Sequence, residues 1–138
     1  MDAQQTLLAT HTRGVLATLR RDGRPQLSTV VYAYQPERRL VRVSTTAERA
    51  KARNLARDPR ASLHVSSADG SAWAVAEGTA RLTPVAADPK DETVAELVDL
   101  YRQVRGEHPD WDAFRAAMVA EHRLVVLLSV ERVYGNVR

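Results

Sequence analysis

Between Gly14 and Thr45 strand-like runs alternate with tight-turn signals, and that rhythm commits the first third of the chain to antiparallel β-structure. Gly14-Val15-Leu16-Ala17-Thr18-Leu19 reads as a strand, and the Asp-Gly pair in Arg21-Asp22-Gly23-Arg24 as a hairpin turn. Pro25 opens a second strand, Gln26 to Tyr34. Side chains alternate across a strand, so Gln26, Ser28, Val30, Tyr32 and Tyr34 take one face. Leu27, Thr29, Val31 and Ala33 take the other. Gln35-Pro36-Glu37-Arg38-Arg39 is a second turn, and Leu40 to Thr45 a third strand.

The period then changes. Ala47 to Arg57 lacks β-branched residues and is rich in Ala and Arg, which predicts a helix. Thr45 or Thr46 is the expected N-cap, Glu48 suits the first turn, and Asp58-Pro59 stops it. Arg60 to Ser66 is a fourth strand and Ala72 to Thr83 a fifth, separated by Ala68-Asp69-Gly70-Ser71. Gly78 within the fifth marks a bulge or a close backbone approach. After the loop from Pro84 to Asp91, an amphipathic helix runs from Thr93 to Arg105, with Val94, Leu97, Val98, Tyr101 and Val104 at helical spacing. We read that stripe as core or dimer packing rather than a cofactor contact. Asp110 or Asp112 caps a second helix carrying Trp111, Phe114, Ala117 and Met118. The apolar run Leu124 to Val130 opens a sixth strand that continues to about Tyr134. A weaker helical pattern over residues 3–12 offers Leu7 and Leu8 to the core.

The expected fold is therefore mainly β, with α-helices added. It is a small six-stranded barrel with a short helix after strand three and a helical pair before the last strand. Residues 1–138 form one domain. A chain of this length buries roughly two-thirds of its unfolded surface, so a large flat ligand would gain from a second subunit as a wall.

Several chemistries are excluded by composition. There is no cysteine, which removes disulfides, thiolate metal sites, iron–sulfur clusters and a thiol nucleophile. His11, His64, His108 and His122 show no metal-ligand spacing, and no metal site is expected. His64 reads as structural or surface, His108 as part of a turn. No nucleophile elbow, Walker loop or dinucleotide fingerprint occurs, so no catalytic side chain is assigned. The N-terminus lacks a basic signal-peptide region and no run approaches a membrane span, so the expected location is cytoplasmic, without a membrane partner. The aromatics do not interleave with a basic stripe, which argues against nucleic acid.

Charge is uneven. Residues 1–60 hold 12 basic and 5 acidic side chains, whereas residues 61–138 hold 8 and 12. The excess suits an anionic partner or a solvated basic surface. It concentrates in Arg49-Ala50-Lys51-Ala52-Arg53-Asn54, at a strand-to-helix junction where unpaired backbone N–H groups favour anions. Arg49 and Arg53, four apart, can converge, and Lys51 can join them from an irregular entry turn. The other reading is an exposed basic face pairing with Glu48 and Asp58. Glu77, in the fifth strand, reads as the partner of an arginine.

Several blocks carry a family resemblance. They are Gly14 to Gln26; Arg49-Ala50-Lys51-Ala52-Arg53-Asn54-Leu55 with Asp58-Pro59-Arg60-Ala61; Ala74-Val75-Ala76-Glu77-Gly78-Thr79-Ala80 with Leu82-Thr83-Pro84; and Val133-Tyr134-Gly135. In order and spacing they resemble the pyridoxamine-phosphate-oxidase-like split β-barrel superfamily, and within it the actinobacterial B-type F420-dependent (deazaflavin) oxidoreductases. The segment with Leu100-Tyr101-Arg102, Glu107-His108 and Asp110-Trp111-Asp112 is similar to that subgroup too. The resemblance implies a homodimer with a cofactor groove at each subunit interface. It implies that the Arg49-Ala50-Lys51 stretch, with Asn54 nearby, receives the cofactor's phosphate. Ser44 and Thr45 would approach the ribityl chain, and Gln26, Ser28, Thr29 and Val30 would line the deazaflavin. Trp73 would be a wall contributed by the other subunit. Ser71 stands where close relatives carry an aromatic, and Thr29 where they often carry an amide. The implied activity is F420H2-dependent reduction of a small conjugated or heteroaromatic substrate. The alternatives are a non-catalytic F420 carrier and an FMN-binding flavoprotein.

Overall fold

In the computed structural model, which describes residues 1–137, six antiparallel strands close into a barrel. They are β1 (Arg13–Leu19), β2 (Pro25–Gln35), β3 (Leu40–Thr46), β4 (Arg60–Ser66), β5 (Trp73–Leu82) and β6 (Arg123–Asn136). Their order around the barrel is β1-β2-β3-β6-β5-β4, and β1 pairs with both β2 and β4, so no strand edge is left open. Among the described residues no helix is long and apolar enough to cross a membrane.

Alternation along β2 behaves as its sequence demands. Val30, Tyr32 and Tyr34 enter the barrel core, while Leu27 on the opposite face is 62% exposed. Leu16, Val41, Val43, Leu63, Val65, Val126 and Leu128 complete the interior. Helix α1 (Ala3–Thr10) adds Leu7 and Leu8, and the Tyr32 hydroxyl donates to the Leu8 carbonyl at 2.6 Å. The ladder between β5 and β6 shifts register between Glu77 and Gly78. A Cβ at Gly78 would collide with the Ser129 carbonyl oxygen, so only glycine permits the approach. Glu77 faces Arg132, 3.9 Å away.

Helix α2 (Ala50–Arg57) begins later than its composition suggested. Thr45 and Thr46 remain in β3, paired with Leu124 and Arg123, so neither caps the helix. Arg49 is the N-cap, in extended conformation and without a side-chain cap bond. Glu48 lies outside the helix, its Oε1 2.9 Å from Nδ1 of His122.

A second layer lies outside the barrel. Helix α3 (Glu92–Arg105) and helix α4 (Trp111–Ala120) are each opened by an aspartate cap, Asp91 accepting from the Val94 amide and Asp110 from the Ala113 amide. Leu97 and Leu100 of α3 pack on Ala33, Leu40, Val125 and Leu127, the outward apolar residues of β2, β3 and β6. In their midst sits Arg42, an outward residue of β3 that is 1% exposed. Its Nη1 donates to Glu96 at 3.0 Å and Asp99 at 2.8 Å, and its Nη2 to the Gln103 side-chain oxygen at 2.6 Å. All three partners lie on α3. Gln103 in turn donates to the Tyr34 carbonyl at 2.9 Å.

Removing a buried charge partner leaves the others uncompensated, whereas an apolar replacement of similar volume is tolerated. Both acids here are partly exposed to water, which reduces the cost. Arg42→Ala is expected to lose about 3 kcal/mol in urea unfolding. Arg42→Met should lose clearly less. Equal losses in the two variants would remove the guanidinium from this account.

Candidate functional site

Where β3 hands over to α2, the surface opens into a cavity of about 430 Å³. Its strand side is made by Thr29, Val30 and Val31 of β2 and by Ser44, Thr45 and Thr46 at the end of β3. Arg49 and Lys51 stand at the α2 end, and Arg123 of β6 and Arg105 of α3 also reach it. The far wall is apolar: Leu97, Leu100, Tyr101 and Val104 from α3, with Phe114 and Met118 from α4. The volume lies within the usual range for small-molecule sites.

The electrostatics are one-sided. Four cationic residues line the cavity and no carboxylate does. Among the described residues Arg49, Lys51 and Arg105 make no ion pair, while Arg123 is held 2.9 Å from Glu121. Lys51 is half-buried. Burial, and after it the Arg49 charge, holds its ammonium below the usual lysine range. An ammonium in that position gains from any anion that arrives. The acids proposed as partners of the basic face are engaged elsewhere. Glu48 meets His122, and Asp58 is bound by Arg60 at 2.8 Å, whose hydrogen bonds hold the carboxyl down at about 2.

The apolar wall is braced from behind. Tyr101 and Phe114 meet edge to face, their ring centres 5.1 Å apart. Trp111 and His108 pack on both rings. The Trp111 indole donates to Glu107 at 2.9 Å, and the Arg102 guanidinium lies 4.7 Å over its ring. His108 accepts from the Asp110 amide at 2.9 Å, which makes it part of the turn between the helices. These contacts fix the rings that face the cavity.

The twelve residues singled out from sequence therefore divide. Thr29, Val30, Ser44, Thr45, Arg49 and Lys51 meet in this cavity. Gln26, Ala50, Arg53 and Asn54 line a different one of about 650 Å³, together with Arg20, Arg21, Asp22, Ala56 and Arg57. Arg49 and Arg53 do not converge. The helix begins at Ala50, so Arg49 is extended, and Lys51 and Arg53 lie about 200° apart around α2. The Asn54 amide is committed to the Thr18 hydroxyl at 3.1 Å, tying α2 to β1. Ser28 is on the inward face of β2, where its buried hydroxyl finds no partner among the described residues. Trp73 lies outside the cavity, stacked at 5.9 Å on His64 and edge-on to Tyr134 at 6.1 Å.

The α3–α4 wall of the cavity was not among the site residues the sequence pointed to. Leu97 does pack in the core, as its spacing suggested, but Leu97 and Tyr101 also face the cavity. The available signal was the cluster of Tyr101, His108, Trp111 and Phe114 on both sides of one short turn.

Across β2, β1, β4, β5 and β6 the outward register runs Thr29, Val15, His64, Val75, Tyr134, and beside it Leu27, Ala17, Ser62, Glu77, Arg132. Leu27 and Tyr134 are 62% and 38% exposed. Thr29 belongs to this face and to the cavity, so the two share a border.

The sequence model of the family described as pyridoxamine 5'-phosphate oxidase matches residues 1–136. A solved structure described as an F420 reductase is 24% identical, with a TM-score of 0.73 over 97% of this chain and 98% of that one. A conserved hypothetical protein from Mycobacterium tuberculosis is 23% identical, with a TM-score of 0.75 over 98% and 84% of the respective chains. A heme binding protein from Mycobacterium smegmatis is 26% identical at a TM-score of 0.69, covering 96% of this chain and 52% of its own. Likeness at this level of identity establishes a shared fold.

Lys51 offers a direct check of the cavity's electrostatics. In a 13C NMR titration its side-chain signal should lose its proton below the ordinary lysine pKa, because desolvation and Arg49 disfavour the cation. Saturating inorganic phosphate should move that titration upward, since an anion favours the ammonium. Anion affinity should accordingly fall as pH rises through the Lys51 pKa. A Lys51 titration at or above the ordinary value without added anion would contradict the burial.

Proposed function

The chain belongs to the pyridoxamine 5'-phosphate oxidase family, and on that premise we propose that its groove holds a phosphate-bearing, flavin-type redox cofactor, the deazaflavin F420 ahead of FMN. The observation that carries this reading is the pairing of Arg49 and Lys51, without carboxylate partners among the described residues, at the mouth of an apolar-walled cavity. The groups present fit such a molecule. Guanidinium and ammonium answer a phosphate. The hydroxyls of Ser44, Thr45 and Thr46 suit a polyol chain, and the Tyr101–Phe114 wall suits a planar ring. The surplus of cations favours F420, whose tail is acidic, over FMN.

When bound, such a cofactor supplies two-electron hydride transfer, so the chemistry asks neither a nucleophile nor a metal of the protein. The protein's own tasks are to anchor the phosphate, hold the ring against the strand face and keep water from the apolar wall. We assign the activity as F420H2-dependent reduction of a small conjugated or heteroaromatic substrate.

We further propose that the protein works as a homodimer. The uncovered sheet face borders the groove at Thr29 and carries the exposed Leu27 and the Trp73–His64–Tyr134 stack. A second copy on that face would bury these side chains and bring an aromatic wall to its neighbour's groove.

Three experiments test these readings. In fluorescence titrations with F420 and FMN, F420 should bind more tightly, and Arg49→Ala with Lys51→Ala should weaken it by about tenfold or more. Unchanged affinity would remove this site. Reduced F420 mixed with a panel of enones and quinones should be reoxidised; tight binding with no turnover would favour a carrier. For the dimer, Leu27→Asp should give a monomer by light scattering with weakened cofactor binding. A wild-type monomer that binds cofactor fully would refute the shared site.

A further inference from the structure

The cofactor groove leaves one part of the basic sequence unused. Gln26, Arg53 and Asn54 turn away from it into the cavity between the β1–β2 turn and the outer side of α2. Arg20, Arg21 and Arg57 join them there, so four arginines face a single cavity whose one acid is Asp22. That acid is occupied in shaping the turn, its Oδ1 accepting from the Arg24 amide at 3.0 Å.

The supports on both sides are stiff. The turn is tied by Arg20 N–H to the Arg24 carbonyl and Gly23 N–H to the Arg20 carbonyl, each at 2.9 Å. On the helix, Arg57 donates through Nη2 to the Leu19 carbonyl at 2.6 Å, which holds its guanidinium toward the turn. Arg20, Arg21 and Arg53 have no ion pair or side-chain hydrogen bond among the described residues. Ala50 and Ala56 line the cavity from α2 and leave its space open. Four like charges carried on these two elements around one open hollow, offset only by the Asp22 carboxylate, favour anions in it.

We propose that this cavity is a second anion site, separate from the cofactor groove, and that it takes a linear oligophosphate. The guanidinium groups come from both the turn and the helix, so a chain of linked charges engages more of them at once than one phosphate does. Phosphate oxygens match the planar arginine fork. The lining contains no aromatic and no large apolar side chain, so there is nothing for a nucleobase to stack on. The site therefore reads the phosphate chain and ignores what the chain is attached to.

The probe is inorganic triphosphate, titrated calorimetrically at moderate ionic strength into protein whose cofactor groove is first filled with FMN, because Arg49 and Lys51 would otherwise bind the probe as well. Triphosphate and adenosine triphosphate should bind equally within about twofold, and orthophosphate at least about tenfold more weakly. Arg21→Ala with Arg53→Ala should reduce triphosphate affinity by about tenfold or more. Arg49→Ala with Lys51→Ala should leave it within about twofold, circular dichroism confirming the fold of both variants. Equal loss in the two double variants, equal binding of orthophosphate, or no heat of binding would overturn the site. Displacement of triphosphate by F420 but not by FMN would make the cavity an extension of the cofactor groove and overturn its independence.

Discussion

A single buried guanidinium ties helix α3 to the barrel. Arg42 projects outward from β3 into a layer that is otherwise apolar, and every charged or amide partner it finds belongs to α3. Glu96, Asp99 and Gln103 share one helical face, three and seven positions apart. Only one rotation and height of α3 sets all three over Arg42, and in that setting Leu97, Leu100, Tyr101 and Val104 face the cavity. A buried charge cluster adds little stability over a well-packed apolar one. Here it fixes which residues of α3 lie over Arg42.

The second determinant is where β3 stops and α2 starts. Pairing with β6 carries β3 through Thr46, and the helix does not begin until Ala50. The intervening residues form a turn, the Arg49 amide donating to the Thr46 carbonyl at 3.2 Å and the Ala47 amide to the His122 carbonyl at 3.0 Å. That delay sorts the cations. Arg49 is extended and Lys51 occupies the first turn on the groove side, while Arg53 and Arg57 rotate to the hairpin side. A continuous basic segment thus becomes two electrostatically distinct surfaces on opposite sides of a two-turn helix.

Barrel closure leaves an asymmetry. The faces of β2, β3 and β6 near the groove are covered by α3 and α4, whereas the outward rows running from β2 through β1, β4 and β5 to β6 carry no helix. Helix α4 is itself only half-seated, with Trp111, Phe114 and Met118 all partly exposed. The groove lies between a braced wall and a bare sheet face, an arrangement that suits a flat ligand closed from outside.

Much of this architecture was legible along the chain, because strand and turn signals are local. Alternation and the Asp-Gly pair define the β1–β2 hairpin, the aspartates before α3 and α4 mark their starts, and the glycine in β5 marks the bulge. The cationic character of the segment after β3 was equally plain, and so was the aromatic content of the α3–α4 turn. Tertiary structure decided which of these residues share a space. Thr45 is strand rather than cap because β6 lies beside it, and Arg42 is a buried anchor because a helix more than fifty residues later descends on it. Arg53 parts from Lys51 through a phase set by the helix start, and Tyr101 faces the groove through contacts between layers. Local sequence specifies backbone preference, whereas the direction in which a long side chain points depends on what arrives opposite it, and that partner comes from distant parts of the chain.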